Sequence, residues 1–239
     1  MKTVILCGGR GLRYSDNKPK GLALIAGIPI IQRVMDIYYS QAFNDFLLIL
    51  GHKGNEIESY FKNFRKYKTE FVYIDNNMNK GGALKLAEEY IDDCSNPLEK
   101  CLDNWFCTYC DCLADIDLRS LYLEHIKSEN IATITAIKPY HDVGVLTFGE
   151  GIESGKILKI EEKPQMSEWA NGGFFVFNKR IFDYVYRDND DLETDIFGRL
   201  IKEGKLGGYK HNGLWNTVNS VKEELELNKL YGENEKWKK

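Results

Sequence analysis

Residues 1–21 read MKTVILCGGRGLRYSDNKPKG. An apolar run through Val4, Ile5 and Leu6 ends in Gly8, Gly9 and Gly11, and Arg13, Lys18 and Lys20 follow within a few positions. A strand that stops at clustered glycines brings bare backbone N–H groups close to whatever lies beyond it, and the cations that follow suit an anion. The stretch matches neither of two common phosphate loops. A P-loop closes with Gly-Lys-Ser or Gly-Lys-Thr, and a dinucleotide fingerprint spaces its glycines as GxGxxG. Taken alone, the stretch is a tight strand-to-helix turn, so the rest of the chain decides what the anion is.

Outward from it, strand-like runs alternate with segments of helical period. Thr3–Cys7 precedes a helix expected near Ile30–Gln41, Phe46–Leu50 precedes Glu56–Phe64, and Phe71–Ile74 precedes Ala83–Tyr90. Trp105–Tyr109 precedes Leu118–His125, and Ile131–Ile137 is a further strand. That alternation predicts an α/β fold, a mostly parallel sheet flanked by helices on both faces. Ligands of such sheets sit at the carboxyl ends of the strands, where the glycine loop and Asp111 both fall. Later, Val143–Phe148, Lys156–Glu161 and Gly173–Phe177 read as short strands of a small antiparallel β extension, before helices over Leu192–Lys202 and Val221–Leu230.

The 239 residues, 43% hydrophobic and 28% charged, are enough for one globular domain with a proper core. The expected single domain divides into halves 1–138 and 139–239, the second carrying the C-terminal helices, which the resemblance given below makes nucleotide-binding and acceptor-binding. A net charge of −4 argues against a nucleic-acid partner, though not against a local basic pocket. No run approaches the roughly 20 apolar residues that span a bilayer, and the glycines interrupt any signal-peptide core. The expectation is a cytoplasmic protein with free thiols and no membrane partner. Cys107, Cys110 and Cys112 admit a zinc reading, but a structural site wants four ligands and a second pair is missing. Buried strand cysteines are the alternative. Trp237, in the charged tail Glu233–Lys239, is read either as an interface residue, which leaves a homo-oligomer open, or as part of a frayed end.

Seven stretches come in a telling order: LCGGRGLR, NKPKGLALIAGIPII, NKGGALKLA, FCTYCDCLADID, KIEEKP, NGGFFVFN and LWNTVNSVKE. Together, from Met1 to about Tyr231, they resemble the sugar-1-phosphate nucleotidyltransferases, and within them most resemble the glucose-1-phosphate cytidylyltransferases. The resemblance implies a Rossmann-like sheet of the nucleotide-diphospho-sugar transferase type. It implies Mg²⁺ as cofactor and, as partners, an NTP, CTP foremost, with a sugar 1-phosphate or another small phosphorylated acceptor. The reaction would release pyrophosphate and place an NDP-sugar in polysaccharide precursor supply. In-line attack without a covalent enzyme intermediate rests on positioning and charge neutralisation.

The same resemblance assigns roles. Gly8, Gly9 and Gly11 would admit the phosphates, with the backbone from Leu6 to Gly8 also meeting the base. Arg13 would hold the leaving phosphates and Lys20 the α-phosphate, while Lys18 is either support for the site or a solvated lysine. Gly81 and Gly82 would lie against base or ribose, or simply start a helix. Asp111 matches the metal-binding aspartate, and Asp117 reads as a helix cap. Lys163 would neutralise the sugar's phosphate, Glu161 or Glu162 would accept from its hydroxyls, and Asn171, Gly172 and Gly144 would border the sugar.

Three departures stand out. Leu12 replaces a threonine, Cys110 and Cys112 flank Asp111 where glycines are usual, and Asn219 takes the place of the second metal aspartate. An amide oxygen can bind Mg²⁺ without contributing charge. The stretch from Asp75 to Gly81 is also shorter than in some cytidylyltransferases. Alternative readings are transfer to a heptose phosphate or a small non-sugar phosphate, cytidylyl or guanylyl chemistry, a non-catalytic nucleotide-binding homologue, and a zinc-binding module.

Overall fold

The computed structural model describes residues 1–9, 14, 18–75, 78–91, 103–149 and 155–233. β1 (Lys2–Cys7) is followed by a 3-10 turn at Lys20–Leu22, a hairpin of β2 (Leu24–Ile25) and β3 (Ile28–Pro29), and α1 (Ile30–Tyr39). Then come β4 (Asp45–Leu50), α2 (Gly54–Phe61), β5 (Lys68–Tyr73), α3 (Lys80–Lys85), α4 (Glu88–Ile91), β6 (Asn104–Tyr109), β7 (Cys112–Ala114) and α5 (Leu118–Ser128). The chain continues through β8 (Ala132–Ile137), β9 (Val145–Phe148), β10 (Ile157–Glu161), β11 (Ala170–Asn178), α6 (Phe197–Lys202), β12 (Leu206–Lys210), β13 (Trp215–Thr217) and α7 (Val221–Glu233).

Seven strands make one sheet in the order β12-β8-β11-β6-β1-β4-β5. Every neighbouring pair is parallel except those of β11, which is antiparallel to β6 and β8. Period-2 alternation divides the core into two layers. Ile5, Leu48 and Phe106 face a layer closed by α1, α2, α5 and α7. Val4, Leu6, Leu47 and Trp105 face the other, which includes α3, α6 and Ile181. Burial on both faces explains why β1 and β4 read as unbroken apolar runs. The mostly parallel, helix-flanked sheet expected from the sequence is the one observed. No helix among the described residues is long and apolar enough to cross a membrane.

One strand changes place. Gly173–Phe177, expected in the antiparallel extension, belongs to β11 inside the main sheet. Its FFVF run is buried on both faces, with Phe174 and Val176 in one layer and Phe175 and Phe177 in the other. Only a central strand buries both sets. The extension is therefore the β9–β10 ribbon alone. Its Leu146, Phe148, Ile157 and Ile160 are all exposed.

Two expected helices are subdivided. The segment 83–90 breaks between α3 and α4, and 192–202 opens as a π-helical turn, Leu192–Ile196, before α6. Asp117 caps α5 as read, accepting from the N–H groups of Arg119 and Ser120 at 3.0 Å each. On α5, His125 is buried between Thr133 (Nδ1···Oγ1 2.9 Å) and Asn104 (Nε2···Oδ1 3.3 Å), and burial lowers its pKa to about 4. Cys107 packs in one layer and Cys112 in the other, which separates two of the three sulfurs considered for zinc.

Candidate active site

A cavity of about 750 Å³ opens at the carboxyl ends of β1, β4, β5 and β6, a size that suits a nucleotide-sized ligand. Leu6, Gly8, Gly9, Lys20, Asp111 and Asn219 all line it. At Gly8 an added Cβ would lie 2.4 Å from Ile74 Cδ1, whereas at Gly9 it would meet nothing within 4 Å among the described residues. Gly8 is thus a close crossing of elements. Gly11 and Arg13 lie outside the described residues.

Asp111 sits in the turn between β6 and β7, where its carbonyl accepts from Val218 N–H at 3.2 Å. Its carboxylate forms an ion pair with Lys20 through Oδ2, and the Cys112 thiol donates to Oδ1 at 3.4 Å. Burial, with Asp111 alongside, pushes the Cys112 thiol pKa well up, so this sulfur remains a neutral donor beneath the carboxylate. Lys20 also donates to Asn219 Oδ1 at 2.7 Å. Asn219 is fixed from the other side: Glu223 accepts from the N–H groups of Asn219 and Ser220, and Ser220 Oγ accepts from Glu223 N–H at 3.2 Å. This reciprocal capping box starts α7 and leaves the Asn219 amide aimed at Lys20. Farther along α7, Glu224 accepts from Tyr14 Oη at 2.6 Å and from Leu24 N–H at 2.9 Å. The C-terminal helix thereby braces the segment that carries Lys20. Cys110 lines the cavity beside Cys7, so two cysteine side chains stand on this wall. Burial, then the Cys110 thiol, raises the Cys7 pKa.

Gly81 and Gly82 do not form part of the cavity wall. A Cβ on Gly81 would lie 2.5 Å from the Asp190 carbonyl oxygen, and one on Gly82 would lie 2.0 Å from that of Asp188. These glycines let α3 press against the 188–190 loop, so the collision expected with base or ribose is one with backbone. Their neighbour Lys80 does reach the cavity. It pairs with Glu193 at 2.6 Å and lies 4.8 Å from the centre of the Tyr109 ring, while Tyr109 Oη donates to Glu193. Gly51 and His52, after β4, also line the cavity. A Cβ on Gly51 would lie 2.5 Å from Gly8 O, so the loops after β1 and β4 are packed backbone to backbone. The sequence signal for this was a glycine directly after a second apolar strand.

The predicted acceptor residues Gly144, Glu161, Glu162, Lys163, Asn171 and Gly172 are not in the wall of this cavity. They gather around the β9–β10 ribbon and the start of β11. Gly144 approaches Glu162, where a Cβ would lie 3.0 Å from Oε2. Glu161 pairs with Lys159 at 2.8 Å. Lys163 adopts a left-handed backbone (φ 45°), and Asn171 Oδ1 accepts from Gly173 N–H at 2.9 Å. Gly172 needs correction: the space its missing Cβ leaves is taken by Ile137 Cγ2 at 2.9 Å and Thr135 O at 3.0 Å, not by open room for a sugar. Its carbonyl accepts from the Trp215 indole N–H at 2.8 Å.

A glycine loop, a lysine–carboxylate pair and a nucleotide-sized cavity at the strand ends define a nucleotide-handling α/β site. Comparison with known proteins makes this specific. Residues 2–234 match the family described as nucleotidyl transferase, and the chain belongs to that family. It is 32% identical to the "Probable glucose-1-phosphate cytidylyltransferase" of Bacillus subtilis (strain 168), an alignment covering 100% of this chain and 99% of that one. It is 29% identical to the glucose-1-phosphate cytidylyltransferase of Salmonella typhi, over 97% and 96% of the two chains. The crystal structure of HddC from Yersinia pseudotuberculosis shares the fold, with a TM-score of 0.74 at 19% identity over 96% of this chain and 99% of that one. The protein is an enzyme of the sugar-1-phosphate nucleotidyltransferase kind, a family that uses a nucleoside triphosphate and a sugar phosphate.

Proposed function

We propose that the protein joins the NMP unit of an NTP, CTP foremost, to a sugar 1-phosphate, glucose 1-phosphate foremost, in the cytoplasm. An oxygen of the sugar phosphate attacks the α-phosphorus in line, the bond to the bridging oxygen of the β-phosphate breaks, and pyrophosphate leaves. The observation that carries this reading is the meeting of Lys20, Asp111 and Asn219 at the cavity wall beside Gly8 and Gly9. The names of the two cytidylyltransferase relatives support the choice of base and acceptor.

The loop glycines present backbone to the triphosphate. Lys20 places a positive charge at the α-phosphorus, where negative charge grows. The oxygens of Asp111 and Asn219 both bond the Lys20 ammonium, so they already converge on one cation. One carboxylate and one amide oxygen, completed by water and phosphate, make a donor set that fits Mg²⁺. When bound, Mg²⁺ would neutralise phosphate charge. On the acceptor side, Lys163 would meet the sugar's phosphate. Its left-handed backbone, held just before Pro164, is the kind of local strain that recurs at binding sites.

The test is pyrophosphate release with Mg²⁺ across CTP, UTP, GTP, ATP and dTTP, against sugar 1-phosphates, a heptose phosphate and small phosphorylated alcohols. Release with CTP and glucose 1-phosphate is expected. Release with another pair would replace those substrates. Silence across the panel, with CTP binding retained in calorimetry, would overturn the catalytic reading in favour of a nucleotide-binding protein.

A further inference from the structure

The ammonium of Lys20 sits between two oxygens from distant parts of the chain. It bonds Asp111 and Asn219 together, the two groups assigned above to Mg²⁺. The pair is mostly sheltered, with the Lys20 and Asp111 side chains 17% and 18% exposed. Among the described residues, the other carboxylates on this stretch of α7 are already committed. Glu223 caps α7 through the N–H groups of Asn219 and Ser220, and Glu224 holds Tyr14 and Leu24. Asp75, the other carboxylate on the described cavity wall, follows β5, three strands away from Asp111 in the sheet. At the usual strand spacing that is roughly 14 Å, too far to share an ion.

Lys20 therefore neutralises Asp111, and Asn219 adds no charge to attract a second cation. A divalent ion at the same oxygens would face the ammonium at a few ångströms in a half-buried site, where like charges repel strongly. Nucleotide changes this balance. Its phosphates offer Lys20 a more highly charged partner, and they bring oxygens that complete a metal's shell.

We propose that Lys20 is a built-in counter-ion that keeps divalent metal off the free enzyme, so that metal enters only with the nucleotide, whose phosphates draw the ammonium away from Asp111. The inference rests on the reading of Asp111 and Asn219 as metal oxygens. It makes Lys20 both the group that excludes metal from the empty site and the group that meets the α-phosphate in the filled one.

The experiment titrates Mn²⁺ alone into the full chain and follows free Mn²⁺ by electron paramagnetic resonance. Wild type is expected to bind it feebly. Lys20→Met should bind at least about tenfold more tightly, since a unit positive charge leaves the immediate contact of both oxygens. Lys20→Arg, which keeps the charge, should stay at the wild-type level. Asn219→Asp should also gain affinity, and adding Asp111→Asn to Lys20→Met should abolish the gain. Thermal melts by circular dichroism identify a variant that has not folded, in which case Asn219→Asp carries the test. Mn²⁺ bound to wild type as tightly as to Lys20→Met, or a gain indifferent to Asp111, would overturn the proposal. Turnover is measured separately on wild type. An active enzyme whose Lys20→Met variant gains nothing refutes this inference alone. A chain inactive with every substrate pair whose variant gains Asp111-dependent binding refutes only the proposed reaction.

Discussion

The two ends of the proposed ligand path are built differently. On the nucleotide side, Gly8, Gly9, Lys20, Asp111 and Asn219 are anchored to strands and helices buried in both layers of the core. On the acceptor side, the corresponding residues hang on a two-stranded ribbon whose Leu146, Phe148, Ile157 and Ile160 are exposed. The first is held by contacts between distant elements, Lys20 with Asp111 and Asn219 and α7 with Tyr14 and Leu24. The second is organised by local contacts, such as Gly144 against Glu162 and Lys159 with Glu161. Substitutions at the first should therefore act on chemistry without loosening the rest, while those at the second should act on acceptor affinity.

The largest expected effect is that of Asp111→Ala, which should lower turnover by about 10³-fold, the scale of losing a charged group at the reacting phosphates. The melting temperature should stay near wild type because the carboxylate is not in the core. Full activity in this variant would remove Asp111 from the reaction.

Next comes a pH dependence located far from the cavity. His125 takes a proton near pH 6.5 in the unfolded chain but resists it down to about 4 when buried. Its contribution is thus fully present above pH 6.5 and is lost as pH falls toward 4, by up to roughly 3 kcal/mol. Urea midpoints at pH 7.5, 5.5 and 4.5 should fall steadily in wild type, and a His125→Asn variant should flatten the slope.

Gly82→Ala should cost about 2 kcal/mol of stability, because its Cβ would drive into the Asp188 carbonyl and the loop must shift. Urea unfolding reads this directly. Unchanged stability with a raised KM for the nucleotide would instead return Gly82 to the ligand.

The smallest effect is assigned to Lys163→Ala, about tenfold in KM for the acceptor with the nucleotide KM unmoved, since an exposed charge contact is worth on the order of 1 kcal/mol. A rise in nucleotide KM of equal size would erase the distinction between the two sides.

The sequence announced the parallel strands because burial on both faces demands continuous apolar runs, as in FLLIL of β4. It misplaced β11, since GGFFVF looks the same in a ribbon or a central strand until its neighbours are known. At the candidate site, motif order singled out Lys20 and Asp111, and the structure joins the two as an ion pair. Lys80 and His52 were not legible, because nothing in a lysine or histidine beside a helix start says which way it points. For Gly81 and Gly82 the sequence left ligand contact and helix start both open, and the structure shows the helix start, pressed against the 188–190 loop. A glycine signals close approach, and only the fold tells whether backbone, side chain or ligand is what approaches.

Strand β11 carries a further consequence. Ala170, its first residue, is the register partner of Ile137, the last residue of β8. The chain leaves the sheet after Ile137 and re-enters it at Ala170, two neighbouring positions on its rim, and the described residues between them form the separate β9–β10 ribbon. Such a segment can be exchanged as a cassette: a replacement need only bridge two adjacent strand ends, and the packed layers keep their sequence. Acceptor choice could then diversify by loop replacement while the nucleotide machinery is inherited whole.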